Sequence, residues 1–143
     1  MKNRLFLLLA GLLIIGSFGF MGCAKVDTGK TVGSEQLIGK DFHLAAIDGQ
    51  PFEWETPLVM HFDENMRISG NFCNRYVGQA TLEDGVLTVK QMASTKMLCI
   101  KSQLNEIEQL VPGMLMNGAA LSLDGGKLSI RQGEHEVVYI QAK

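Results

Sequence analysis

Short apolar segments separated by glycine-bearing turn signals constrain this chain more than any other feature. The signals are Asp48-Gly49, Asp84-Gly85, Asp124-Gly125-Gly126 and Gln132-Gly133. Asp-Gly is favoured where a two-residue hairpin loop needs positive φ, so these positions punctuate antiparallel strands. Between them Leu58, Met60 and Phe62 alternate with Val59, His61 and Asp63, and the pattern returns in Met66 with Ile68, Leu87 with Val89, Leu121 with Leu123, and Leu128 with Ile130. A period of two turns one apolar face inward. The count predicts seven or eight short strands.

One stretch follows another period. From Ser102 to Met116, apolar residues fall at Leu104, Ile107, Leu110, Val111, Met114 and Leu115, the spacing of a helix with one buried stripe. Ser102 is placed to cap its start and Asn117-Gly118 to stop it. Pro112 lacks the N–H that would bond the carbonyl of Glu108, which predicts a kink there or a split into two pieces. The expected architecture is α+β: a curved antiparallel sheet of about seven to eight strands, a partial barrel, packed around one amphipathic helix.

The N-terminus speaks to compartment. Lys2 and Arg4 precede an apolar run that ends at Met21-Gly22-Cys23, the layout of an export signal. Its end resembles a bacterial lipoprotein signal, in which a small residue before a cysteine permits lipidation and cleavage there. On this reading residues 1–22 are the signal and Cys23 carries lipid. Residues 23–36 form a polar tether of roughly 20 Å random-coil span, and residues 37–143 form the domain. Ala24, in place of the Asp that retains many lipoproteins at the inner membrane, points to the outer membrane with the domain facing the periplasm. The rival reading is an uncleaved anchor, since a run of about eighteen apolar or small residues approaches spanning length.

Without residues 1–22 the chain carries 11 Lys and Arg against 15 Asp and Glu, a formal charge of −4. A mildly acidic chain without a basic cluster argues against nucleic acid and against electrostatic binding to anionic lipid. Two cysteines remain, Cys73 and Cys99. In an oxidising compartment an even pair is most simply a disulfide; buried free thiols, a nucleophile and a metal site are the alternatives. A metal site needs close ligand pairs, and His43, His61 and His135 are scattered through segments that read as strand. The six remaining methionines suit copper(I) chemically, but Met60, Met66 and Met114 fall at core positions, where packing explains them.

The block Met66–Cys99 carries a pattern. Ser69-Gly70, Cys73-Asn74-Arg75-Tyr76, Gly78, Leu82, Asp84-Gly85, Met92-Ala93, Thr95 and Cys99 stand in order, and this resembles the META domain family, within it the heat-shock lipoproteins. The resemblance runs from about Leu37 to the C-terminus, with Phe72 where many members have Gly and Ala80 where many have an aromatic. It implies a curved sheet wrapping a helix, and a role in tolerance of heat or of antibiotic stress of the novobiocin type.

Chemistry-bearing motifs are sparse. The sequence has no Gly-x-Ser-x-Gly elbow, phosphate loop or His-Glu-x-x-His, and nothing in it asks for a cofactor or makes it an enzyme. The densest polar group is Asn71, Asn74, Arg75, Tyr76 and Gln79. Its structural reading has Gly70 and Asn71 forming a turn, Asn74 bonding nearby backbone, and Arg75 and Gln79 facing water. Its functional reading is a recognition patch, with Arg75 for an anion and Tyr76 as an amphipathic contact. Two classes of function follow: a non-catalytic envelope lipoprotein that contacts another envelope protein, or a small-ligand binder with a groove between sheet and helix.

Overall fold

The computed structural model describes residues 31–143; the export segment and Cys23 lie outside them. The strands are β1 (Asp41–Ile47), β2 (Gln50–Pro51), β3 (Val59–Phe62), β4 (Arg67–Asn71), β5 (Arg75–Glu83), β6 (Val86–Ser94), β7 (Ala119–Asp124), β8 (Lys127–Gln132) and β9 (His135–Gln141), with one helix, α1 (Ser102–Met116), between β6 and β7.

The glycine turns act as their chemistry dictates. Asp48-Gly49 (φ 48° and 76°), Asp84-Gly85 (50° and 76°) and Gly125-Gly126 (54° and 83°) place both central residues at positive φ, as a type I′ hairpin requires. Each joins strands that pair antiparallel. All neighbours in the order β2-β1-β3-β4-β5-β6-β7-β8-β9 are antiparallel, and β9 returns to pair with β1. The expected partial barrel is in fact closed. Eight strands make the ring, and the two-residue β2 shares an edge of β1 with β3.

The inward faces are those the alternation marked. Leu58, Met60, Phe62, Ile68, Leu87, Val89, Leu128 and Ile130 are buried, and Phe42 meets Phe62 edge to face at 6.1 Å between centroids. The barrel is weakest between β6 and β7, where only Val86–Ala120 and Leu87–Ala119 pair. Helix α1 packs against both of these strands. Its buried stripe, Leu104, Ile107, Val111, Met114 and Leu115, belongs to the same core as the strands, each such burial being worth roughly 1.5–3 kcal/mol. The helix passes unbroken through Pro112 rather than splitting there. Its N-cap is Lys101, with no side-chain cap, so Ser102 is the first helical residue and not the cap. Asn117 closes the other end, its Nδ2 donating to the Gly113 carbonyl at 2.8 Å.

The folded body starts earlier than residue 37. Val32 is buried in the core and Ser34–Gln36 form a 3-10 turn. A lone Val among polar neighbours carries no periodic signal, which hides this docking from sequence patterning.

Candidate functional site: the disulfide-bound loop

The Met66–Cys99 block builds one structure, the attachment of the loop after β6 to the turn before β5. Cys73 and Cys99 are joined by a disulfide with 5.9 Å between Cα atoms. Beside it, Asn74 is almost fully buried. Its Oδ1 accepts from the Met97 N–H (2.7 Å) and the Thr95 hydroxyl (2.8 Å), and its Nδ2 donates to the Met97 carbonyl at 3.2 Å. Thr95 in turn exchanges two bonds with the Arg75 backbone, accepting at Oγ1 (3.2 Å) and donating from N (3.0 Å). An amide with a donor and an acceptor on one short arm suits this clamp, because buried polar groups must be paired.

The block's glycines answer to space. At Gly70 a Cβ would collide with the Val59 carbonyl and the Tyr76 hydroxyl, and at Gly78 with the Val89 side chain. Gly70 and Asn71 are strand, paired with Tyr76 and Arg75, and not the turn expected of them. The turn is Phe72–Asn74, closed by the Phe72 N–H donating to the Asn74 carbonyl at 3.0 Å. A glycine followed by asparagine reads locally as a turn, whereas here close approach to Val59 and Tyr76 selects the glycine.

The five candidate recognition residues are drawn apart by burial. Asn71 Oδ1 accepts from the Val59 N–H (3.2 Å), and Asn74 serves the clamp. Tyr76 is buried and stacks on Phe72 at 5.0 Å, leaving only its edge at the wall of the hollow beside Arg75. Its hydroxyl and that of Tyr139 are buried without a hydrogen-bond partner among the described residues, and burial pushes both phenols well above their usual pKa. Gln79 is exposed but tied back, Nε2 donating to the carbonyls of Asn65 (2.9 Å) and Ala80 (3.3 Å). Arg75 alone projects a side chain that, among the described residues, has neither hydrogen bond nor ion pair.

Arg75 borders an open hollow of about 800 Å³ on the outer faces of β3, β4 and β5, which includes Val59, His61, Ser69, Asn71, Val77, Thr95 and Met97. Across it Asp41, His61 and Ser69 are register neighbours on β1, β3 and β4. His61 Nδ1 lies 2.6 Å from Asp41 Oδ1, but among the described residues no hydrogen bond joins His61 to Ser69 or to a cysteine. His135 pairs with Asp48 at 2.9 Å, far along the barrel surface. Glu108 Oε2 comes within 3.2 Å of Cys99 Sγ, so two sulfurs and a carboxylate converge within 4.8 Å. The disulfide bonds the sulfurs to each other, which leaves no thiolate to ligate a cation.

Sequence patterning missed the most exposed apolar residues. Met97 is 63% exposed, Leu98 92% and Ile100 95%, on the loop that Cys99 pins. Lys96 and Lys101 flank them. Lys101 Nζ sits 4.6 Å above the Trp54 ring, and Trp54 stacks on Phe52. The signal was the run Lys-Met-Leu-Cys-Ile-Lys itself, apolar at neither strand nor helix period and bracketed by lysines.

Comparison with known proteins agrees with this geometry. The model of the META domain matches residues 35–143. Heat shock protein HslJ of Escherichia coli (strain K12) is 35% identical over 119 residues, covering 82% of this chain and 84% of that protein. A structure determined by NMR, also 35% identical, superposes with a TM-score of 0.71 over 76% of this chain and 94% of its own. An NMR structure from Burkholderia xenovorans, 18% identical, shares the fold with a TM-score of 0.61, covering 77% of this chain and 86% of its own. With the family's model spanning the whole barrel and helix, the chain belongs to the META domain family.

Proposed function

We propose that this protein is a non-catalytic, lipid-anchored component of the bacterial envelope that serves tolerance of heat and of novobiocin-type antibiotic stress by contacting another envelope protein. The heat-shock part rests on likeness to HslJ. The observation that carries the non-catalytic part is the use of the family block: Cys73, Asn74, Thr95 and Cys99 are all consumed in fixing one loop against β5, and none is held ready for a substrate. The open hollow beside Arg75 is broad rather than enclosed, a shape suited to a protein surface more than to a small molecule. Lipid on Cys23 would hold the domain at the outer membrane, facing the periplasm.

The test joins two measurements in cells. Labelled palmitate should enter the wild-type chain and not Cys23→Ser, because stable anchoring takes more than one acyl chain on that residue. Arg75→Glu should leave the melting temperature unchanged, as exposed sites do, while lowering survival of heat shock. Full survival of Arg75→Glu would remove the hollow from the function, and an unlabelled but membrane-retained wild type would favour an uncleaved anchor.

A second reading has its own observation. Between α1 and the β1–β2 turn lies a groove of about 360 Å³ floored by Ile47, Phe52, Ile107 and Leu110, within the size range of ligand sites. Leu110→Lys, at the groove, would then abolish stress tolerance where Arg75→Glu did not.

A further inference from the structure

We infer that the loop Lys96–Lys101 is a bilayer-docking tip, a second point of contact with a membrane containing anionic phospholipid. The inference rests on the envelope reading, which puts the domain within reach of a lipid surface. Leu98 and Ile100 are the two most exposed large hydrophobic side chains of the described residues, and Met97 follows them. Clustering of this kind marks a binding surface, and its shape is convex at the crest: Leu98 and Ile100 stand out from the loop at 92% and 95% exposure, while Met97 turns toward the rim of the hollow beside Arg75. The disulfide and the Asn74 clamp hold the loop at its base, so insertion does not have to order it first.

The surrounding charges select the occupant. Lys96 and Lys101 bracket the apolar residues in sequence, and Arg75 is joined to the loop through Thr95. The acidic groups nearby are Glu55, 3.4 Å from Lys101 Nζ, Glu53, which shares a shallow hollow with Trp54 and Lys101, and Glu108 at the disulfide. A knob of hydrocarbon flanked by cations matches the layering of a bilayer, apolar chains beneath phosphates. Trp54 under Lys101 adds the aromatic type enriched at that boundary. A second copy of the chain fits worse, because a twofold contact would set Arg75, Lys96 and Lys101 against their own counterparts. The chain's overall acidity does not oppose docking, since Arg75 and Lys96 sit at the base of the tip without an ion pair among the described residues, and the main contribution comes from Leu98 and Ile100.

The tether permits it. Thr31 lies beside Gly85, whose Cβ, if present, would be 3.3 Å from Thr31 Cγ2. That is the turn of the β5–β6 hairpin, and the tip leaves from its other end. A nine-residue strand, at the tilt of a barrel, rises roughly 20–25 Å. The eight peptide steps from Cys23 to Thr31 reach up to about 27 Å. Lipid on Cys23 and the tip can therefore touch one bilayer with the barrel upright.

The experiment uses residues 31–143 without lipid. That body carries its whole core between Val32 and Tyr139, and a relative of matching extent was solved in solution. The chain's one tryptophan, Trp54, reports docking by a blue shift on titration with vesicles of phosphatidylethanolamine and phosphatidylglycerol (about 7:3), alongside cosedimentation. The wild type should bind, Leu98→Asp with Ile100→Asp should bind at least ~10-fold more weakly, and Lys96→Gln about 3-fold more weakly. Met116→Asp, at an exposed apolar residue elsewhere, should bind as the wild type does. Unchanged melting temperatures would show that the tip variants fold. The inference is overturned if the wild type ignores these vesicles, if the double variant binds equally, or if the loop engages only protein, seen as dimerisation or as a crosslink from position 98 without vesicle binding. Palmitate labelling and Arg75→Glu survival read the envelope function separately: vesicle binding without labelling keeps the tip and removes the anchor, and labelling without vesicle binding does the reverse.

Discussion

Asn74 illustrates how a polar residue in a family signature can be structural. Three of its bonds go to the backbone and side chain of residues more than twenty positions away. Replacing it by Ala leaves the Met97 N–H and the Thr95 hydroxyl without their acceptor. Asn74→Ala should destabilise the domain by roughly 1–3 kcal/mol, measured by urea unfolding, and should speed hydrogen exchange at the Met97 amide before it does so in the barrel. The neighbouring Arg75 should show the opposite profile, with stability intact and survival reduced, because its side chain makes no bond among the described residues. Adjacent in sequence, the two are separated by a boundary: Asn74 ends the turn, buried in its clamp, and Arg75 opens β5 with its side chain exposed.

At the scale of elements, the disulfide is the main staple of the tip. Its ends are 26 residues apart, for which the chain-entropy estimate is roughly 3–4 kcal/mol. Cys73→Ala/Cys99→Ala should lower the melting temperature by on the order of 10–20 °C, seen by scanning calorimetry, with reduction of the wild type giving the same shift. The strands and the helix were legible because Leu58-Met60-Phe62 and Leu104-Ile107-Val111 repeat at the periods of their structures. The tip was not. The run from Met97 to Ile100 has neither strand nor helix period, so periodicity assigns it no face; in the structure the loop is pinned through Cys99 to Cys73 and Met97, Leu98 and Ile100 stand exposed. The local bonding of the polar group was hidden for a related reason: Asn71, Tyr76 and Gln79 look like free surface chemistry in sequence, and only the register with β3 and β4 and the approach of the Asn65 carbonyl show what each is tied to. Closure of the sheet was also beyond reach, since strand periodicity says which face is inward but not which strand the last one pairs with.

For the whole molecule, the seam between β1 and β9 is where the ring is completed, and Asp48 guards one end of it. Its Oδ1 accepts from the Glu136 N–H at 2.8 Å, and its Oδ2 lies 2.9 Å from His135 Nδ1. The Glu136 backbone bond, followed by the His135 side chain, holds the Asp48 carboxyl below its ordinary value of 3.8. A depressed carboxylate adds stability above its unfolded pKa and loses it as pH falls through the folded one. Asp48→Asn, which keeps a residue tolerant of the turn's φ of 48°, should be less stable than wild type at neutral pH. The difference should close as pH falls below about 3.8, which paired thermal melts would follow. The same seam also sets a timetable. Phe42 waits for Gln141, so the ring stays open for the whole interval in which the intervening chain is delivered. Throughout that interval one side of β1 is an unpaired strand edge, open to whatever other strand it meets. The chain would thus be most vulnerable to aggregation while newly made, before its ring has shut.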